Sequence, residues 1–269
     1  MKMCTKDDIV EQLRRMNAPV GSVVLMHSSL RAIGPVEGGA EQLLDTLIQY
    51  FTQAGGLFCI PTHTWHNICE DITLDMTSDD QCLGALSKVA LNDGRGFRSE
   101  SPILSMVVFG DEKRAKAFIQ DEPFITTTAA PESCYGKLYS ENGYVLLAGV
   151  AHDRNTYLHA VEEILGIQNR LASKPSHVTV RRESGDIVHR WVKMFHADFI
   201  PTIALRYPKF ELPFRYHGCI TDGFIGNAPA QLCSAKKMKE TMELIYKNSN
   251  GEDPLREEES FAPILYCGK

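Results

Sequence analysis

The sequence predicts an α/β fold of three layers, with helices on both faces of a mostly parallel, mixed central sheet and a smaller, partly antiparallel C-terminal addition. Two observations predict it. Between residues 5 and 60, segments of helical periodicity alternate with apolar runs, which is the αβαβ order of a parallel strand pair joined by a crossover helix. In the last third, two alternating runs, Val178–Arg182 and Val188–Met194, flank a polar turn and predict an antiparallel hairpin.

The predicted elements divide into apolar strands and amphipathic helices. Strands are expected where apolar runs end at glycine, proline or polar residues, over 22–26, 57–60, 103–109 and 144–150. Helices are expected over 5–16, 43–51, 83–91, 112–119, 156–165, 198–206 and 230–246. The stretch 126–137 is interpreted as a loop. We expect residues 1–269 to form one domain, with about 176–228 as its partly antiparallel subregion.

Composition restricts the class of partner. The 269 residues carry a net charge of −6, with 43% hydrophobic and 23% charged residues, as in an ordinary globular protein. This balance argues against nucleic acid as a partner, because nucleic-acid binders commonly carry a basic patch. No apolar run approaches the ~20 residues of a membrane span, and the eight cysteines include no Cys-x-x-Cys pair. We therefore expect a cytoplasmic protein with free thiols and no membrane partner, either a monomer or a homodimer.

A histidine with two carboxylates follows the most apolar predicted strand. Asn155 is a suitable N-cap for the helix after that strand, and His159 then lies in its second turn. Glu162 and Glu163 are three and four residues further on, close enough to meet the imidazole on the helix surface. A histidine beside a carboxylate is a common general base near neutral pH. The alternative is a surface helix that merely carries polar side chains.

A second candidate site lies at the end of the first predicted strand. His27, Ser28 and Ser29 form a turn there, and Gly38-Gly39 precede the next helix. Ligands of open α/β sheets bind outside the carboxyl ends of strands, and backbone N–H groups at a helix N-terminus hold phosphate well. The pattern is neither Gly-x-Gly-x-x-Gly nor a P-loop, so a dinucleotide or ATP site is not supported. The alternative is a plain turn whose serines bond to the backbone.

Two further groups of residues have a chemical and a structural interpretation. His63, His66 and Cys69 follow one another at three-residue steps, and with His159 they have the composition of a zinc site. They lie in a loop after a proline, so histidines that bond locally or contact substrate are the alternative. Cys134 is either a nucleophile or an ordinary thiol.

Four stretches, in this order along the chain, resemble the aminoglycoside 3-N-acetyltransferases, a family of antibiotic acetyltransferases distinct from the GNAT fold. They are 27–34 with Gly38-Gly39, Arg98-Ser99 with Pro102 and Ser105, 143–150 followed by 155–162, and 223–228. The third stretch is the most specific, because its Thr-x-x-His-x-x-Glu core follows an apolar strand. The resemblance implies transfer of acetyl from acetyl-CoA to the 3-amino group of an aminoglycoside, without a metal.

The resemblance also assigns roles to residues. His159 is expected to be the general base, and Glu162 rather than Glu163 its orienting partner. Contacts with acetyl-CoA are expected from His27, Ser28, Ser29, Leu30, Arg31, Val36, Gly38, Gly39, Ser105 and Thr156. Contacts with the acceptor are expected from His63, Thr64, Asp153 and Glu163.

The chain departs from the family pattern at two points. Ser101-Pro102 stands where His-Pro is usual, and Asp121-Glu122 stands where a histidine is common. Acceptor identity depends on such loops, so acetylation of another amine metabolite is one alternative function. A zinc-dependent amidohydrolase and a non-catalytic CoA-binding module are the others.

Overall fold

The computed structural model describes residues 1–268 and contains two sheets. Their strands in chain order are β1 (Val23–Ser28), β2 (Leu57–Pro61), β3 (Leu74–Asp75), β4 (Phe97–Arg98), β5 (Met106–Phe109), β6 (Tyr144–Ala148), β7 (Ser176–Arg181), β8 (Ile187–Val192), β9 (Ile220–Ile225) and β10 (Ala228–Ser234). The helices are α1 (Lys6–Arg15), α2 (Leu30–Ile33), α3 (Gly39–Phe51), α4 (Ala85–Asn92), α5 (Glu112–Ile119), α6 (Cys134–Ser140), α7 (Tyr157–Ile164), α8 (Glu211–Tyr216) and α9 (Ala235–Asn248).

The larger sheet has seven strands in the order β4-β5-β2-β1-β6-β10-β9. Strand β1 pairs in parallel with both β2 and β6, while β5 and β10 run antiparallel to their neighbours. Five of the seven strands (β4, β2, β1, β6 and β9) therefore point the same way. The predicted α/β class, with a mostly parallel, mixed central sheet, is confirmed.

Alternation along the central strands builds a core on each face of this sheet. Val23 and Leu25 of β1 pack on one face and Val24 and Met26 on the other, and all four are buried. A central strand that is apolar at every position is what a sheet covered on both sides requires. Each such fully buried aliphatic side chain stabilises the fold by ~1.5–3 kcal/mol.

The smaller sheet has the order β3-β7-β8. Strands β7 and β8 form the antiparallel hairpin that the sequence predicts, with six residue pairs from Ser176↔Val192 to Arg181↔Ile187. The first part of the chain contributes β3, which pairs in parallel with β7. The hairpin thus forms a sheet separate from the central one, while β9 and β10 extend the central sheet.

Three predicted elements are wrong. The helix predicted over 230–246 begins at Ala235, because Ala228–Ser234 pairs with β6 as strand β10 and buries alternate residues. In place of the helix over 198–206, a 3₁₀ stretch containing Pro208 covers 203–210 and leads into α8. The proline, which has no N–H to donate, disfavours a continuous α-helix. The predicted loop over 126–137 contains the start of α6, which the Ser133 side chain caps by accepting from the N–H of Gly136.

Candidate active site

The candidate site lies where β1, β2 and β6 end at a common edge of the sheet. His27 and Ser28 of β1 stand beside Leu147 and Ala148 of β6, and the N–H of Ser29 donates to the Ala148 carbonyl at 2.9 Å. Because the carboxyl ends of parallel strands form the ligand-binding edge of an α/β sheet, the His27–Ser29 turn and the segment leading to His159 share that edge.

Gly149 allows β6 to end close to α2. Its φ is +68°, and a Cβ there would lie 2.4 Å from the Cβ of Ala32. Only glycine combines this left-handed conformation with so close an approach. After it come a short 3₁₀ turn at 152–154 and then α7, which carries His159.

His159 is held by two aromatic residues. Its Nδ1 lies 2.8 Å from the hydroxyl of Tyr207, and its ring stacks on Phe195 with centroids 3.8 Å apart and planes inclined by 18°. The same Tyr207 hydroxyl donates to Oε2 of Glu162 at 2.7 Å. The three-residue spacing of His159 and Glu162 suggests that they touch directly, whereas the fully buried Tyr207 hydroxyl connects them in the structure.

Glu162 is buried, with 1% of its surface exposed, and both of its oxygens are bonded. Oε1 accepts from Nε of Arg170 at 2.6 Å and from the Tyr246 hydroxyl at 2.8 Å. Arg170 in turn binds both oxygens of Asp253, at 2.8 and 2.9 Å. Burial raises the pKa of Glu162, and Arg170 and the two tyrosine hydroxyls oppose that rise by stabilising the carboxylate. A buried carboxylate with three donors is a fixed anchor rather than a mobile side chain.

Three imidazoles at this edge are neutral at pH 7. Burial lowers the pKa of His27, His63 and His159 to about 3 in each case. For His63 the charges that His27 and His159 would carry lower it further, which shows that the three rings are neighbours. Nε2 of His63 lies 2.7 Å from the Tyr135 hydroxyl, whereas Nε2 of buried His27 has no partner among residues 1–268.

Most of the residues expected to contact acetyl-CoA surround the mouth of this edge. Ser28, Leu30 and Val36 are half-buried, and Arg31 is exposed. Ser29 caps α2, where its side chain accepts from the N–H of Ala32. Gly38 and Gly39 both have φ of +74°, and α3 begins there without a side-chain cap, which leaves its first N–H groups for a ligand.

Two other expected acetyl-CoA contacts lie deeper. Ser105 is fully buried and donates to the Thr62 carbonyl at 2.6 Å, with Arg98 beside it. Thr156 is also buried, at the position just before α7. The structure therefore brings Thr156 next to the catalytic helix, while the Ser105 hydroxyl is engaged within the protein.

The expected acceptor contacts are distributed unevenly. His63 belongs to the imidazole group, whereas the buried hydroxyl of Thr64 donates to the Pro102 carbonyl at 3.0 Å. Asp153 is half-buried and pairs with Arg154 at 3.3 Å. Glu163 accepts hydrogen bonds on both oxygens, one from the Ala129 N–H at 2.8 Å and one from the Thr127 hydroxyl. It thus anchors the loop before α6 and does not project freely into solvent.

The sequence pattern missed Tyr207, Arg170, Tyr246 and Phe195. Each contacts His159 or Glu162 from a distant part of the chain, so no local spacing marks them. The one usable signal is Tyr207 itself, since it precedes Phe210 and Phe214 at apolar positions of a segment that packs into the core.

The other candidate centres separate in space or in reactivity. Cys134 is buried, its pKa is raised well above the usual range by burial, and its Sγ faces the Phe118 carbonyl, so it is an ordinary core thiol. His66 pairs with Asp80 at 3.4 Å, and Cys69 is exposed. Residues 1–268 contain no group of three or more potential metal-ligating His, Cys, Asp or Glu side chains. None of the helices described is long and apolar enough to cross a membrane.

Comparison with known proteins agrees with this arrangement. Residues 25–246 match the family model described as Aminoglycoside 3-N-acetyltransferase. Aminoglycoside N(3)-acetyltransferase IV from Salmonella sp is 25% identical over 256 residues, covering 93% of this chain and 88% of that protein. The SPbeta prophage-derived aminoglycoside N(3')-acetyltransferase-like protein YokD of Bacillus subtilis (strain 168) is 28% identical over 178 residues, covering 59% of this chain and 64% of that protein.

Solved structures share the fold. The crystal structure of YokD superposes with a TM-score of 0.80 at 21% identity, covering 94% of this chain and 97% of that one. The crystal structure of aminoglycoside acetyltransferase AAC(3)-IVa in complex with gentamicin gives 0.78 at 24% identity, covering 98% and 93%. The family match spans most of the chain and includes both ends of the candidate site. The chain therefore belongs to the aminoglycoside 3-N-acetyltransferase family.

Proposed function

We propose that the chain transfers acetyl from acetyl-CoA to the 3-amino group of an aminoglycoside by direct attack, with His159 as general base. The observation that carries the proposal is the position of a neutral His159 at the sheet edge where the His27–Ser29 turn and the start of α3 also lie. The fold thus offers a base and an anion-binding backbone at one place. The names of the family and of its relatives supply the reaction class.

The chemistry requires a proton acceptor. The acceptor nitrogen attacks the thioester carbonyl, and its proton passes to Nε2 of His159 as the C–N bond forms. The tetrahedral intermediate then expels CoA as a thiolate, which takes the proton. Because burial holds the pKa of His159 at about 3, the imidazole is unprotonated at neutral pH, and the imidazolium formed is acidic enough to give its proton to sulfur.

The oxyanion of the intermediate needs a hydrogen-bond donor. His27 is neutral and buried, and its Nε2 has no partner in the described part of the chain. If this nitrogen carries the ring proton, it donates to the oxyanion without further cost of burial, because it is already out of water. The phosphates of CoA are assigned to the N–H groups that follow Gly38 at the start of α3.

The test is a thiol-release assay with acetyl-CoA and a panel of aminoglycosides and other amines. We expect release with aminoglycosides, and a loss of at least ~100-fold in kcat for His159→Ala, the range for a general base. His189→Ala removes an exposed imidazole from β8 and serves as the matched control. Turnover of His159→Ala near the wild-type rate would refute the assignment of the base, and release with other amines alone would refute the acceptor.

A further inference from the structure

We propose that Tyr207 is a positioning residue that fixes the tautomer of His159 and so selects Nε2 as the atom that receives the acceptor's proton. The kinetic consequence rests on the proposed acetyl transfer, whereas the tautomer is a property of the resting protein. Tyr207 is fully buried and touches both His159 and Glu162, at 2.8 and 2.7 Å.

Counting protons along the hydrogen bonds determines the tautomer. Glu162 receives bonds from Arg170, Tyr246 and Tyr207, so all the protons between it and its partners come from the donors, as an ionised carboxylate requires. A tyrosine hydroxyl has one proton, and Tyr207 gives it to Glu162. The Tyr207 oxygen must therefore accept from His159, which places the ring proton on Nδ1 and leaves the lone pair on Nε2.

The orientation of the ring agrees with this assignment. Phe195 stacks on the imidazole at 3.8 Å and 18°, which opposes rotation of the ring out of its plane. The Nδ1 side faces the buried Tyr207, while the His159 side chain keeps part of its surface accessible. Nε2 has no hydrogen-bond partner within residues 1–268, so it is the nitrogen available to an acceptor amine.

The charges behind Tyr207 favour a transient imidazolium. Glu162 and Asp253 contribute two negative charges and Arg170 one positive charge, all joined by bonds of 2.6–2.9 Å. The group therefore carries a net charge of −1, which a protonated His159 would balance. A catalytic histidine whose far nitrogen donates toward a buried carboxylate follows the same logic as the Ser-His-Asp triad, with a tyrosine hydroxyl inserted between the two groups.

A matched pair of variants separates tautomer control from simple support of Glu162. Tyr207→Phe and Tyr246→Phe each remove one hydroxyl that donates to this carboxylate, but only Tyr207 also bonds to His159. If Tyr207 merely held Glu162 in place, the two variants would leave the tautomer of His159 equally unchanged.

The experiment is ¹⁵N NMR of the full-length protein labelled at histidine ring nitrogens, with the His159 signals assigned by their loss in His159→Gln. At pH 7.5 we expect a protonated Nδ1 and an unprotonated Nε2 in the wild type and in Tyr246→Phe, and a substantial Nε2-protonated population in Tyr207→Phe. A wild-type signal protonated at Nε2, or a Tyr207→Phe spectrum like that of the wild type, would overturn the proposal. The wild-type measurement decides even if a variant does not fold.

The kinetic arm follows from the tautomer. We expect Tyr207→Phe to lower kcat at least ~10-fold while the KM for acetyl-CoA stays within about threefold, because general-base catalysis is lost and binding is not. A kcat equal to that of the wild type would contradict the proposal. If the wild type transfers no acetyl group at all, the proposed function fails, and the NMR result still tests the role of Tyr207.

Discussion

The buried, neutral state of His63 predicts how the stability of the fold depends on pH. His63 is 6% exposed, and burial lowers its pKa to about 3, against ~6.5 for a histidine in the unfolded chain. The unfolded chain therefore takes up a proton at this residue as the pH falls below ~6.5, while the folded protein does not. Stability is unaffected well above pH 6.5 and is lost progressively between there and about pH 3.

The magnitude follows from the two pKa values. At pH 5.5 the unfolded chain gains about 1.4 kcal/mol from protonation of His63, and at pH 7.5 it gains less than about 0.1 kcal/mol. The perturbation is His63→Gln, which keeps a polar side chain near the Tyr135 hydroxyl but cannot titrate. This variant should lose about 1.4 kcal/mol less free energy of unfolding than the wild type when the pH falls from 7.5 to 5.5.

The assay is urea unfolding at the two pH values and constant ionic strength. Thr64→Ser is the control, because it alters the adjacent buried residue without removing a titratable group, and it should show the full wild-type pH dependence whatever its own stability. Equal losses for the wild type and His63→Gln would refute the conclusion that His63 is held neutral in the fold.

Three other substitutions test the surrounding framework. Arg170→Met leaves Glu162 buried without its cation and should cost ~3–5 kcal/mol of unfolding free energy at pH 7.5; a cost below ~1 kcal/mol would contradict the buried ion pair. Gly149→Ala places a Cβ 2.4 Å from that of Ala32 at a φ of +68° and should lower stability by ~1–3 kcal/mol, measured in the same way. Glu163→Gln should cost ~1–3 kcal/mol and leave the acceptor's KM within about twofold, because its carboxylate anchors a loop; a tenfold rise in KM at unchanged stability would restore an acceptor role.

The parts of the site that follow strands were predictable from the sequence. His27, His63 and His159 each come after an apolar run, and parallel strands bring their carboxyl ends to one edge. The resemblance to a known family then distinguished Glu162 from Glu163, which helix spacing alone does not. The structure gives that choice a physical basis, since Glu162 is directed into the Tyr207 and Arg170 network and Glu163 toward the loop before α6.

The parts that depend on distant contacts were not predictable. Tyr207 is 48 residues from His159 in the chain and lies in a 3₁₀ stretch, which has no regular apolar period. Strand β10 was mistaken for the start of a helix because its alanines favour helix, and only its antiparallel pairing with β6 makes it a strand. Local pattern identifies elements with a strong period, whereas partners that meet through tertiary packing leave no such pattern.

The central claim is that a neutral His159 directs acetyl from acetyl-CoA onto an amine. Its most direct test is a product balance in one reaction of the purified protein with acetyl-CoA and an aminoglycoside, with CoA thiol measured by absorbance and the acetylated amine by mass spectrometry and NMR. We predict one equivalent of aminoglycoside acetylated at the 3-amino group for each equivalent of thiol, and neither product above background with His159→Ala. Thiol release without an acetylated amine, or equal product from His159→Ala, would contradict the account.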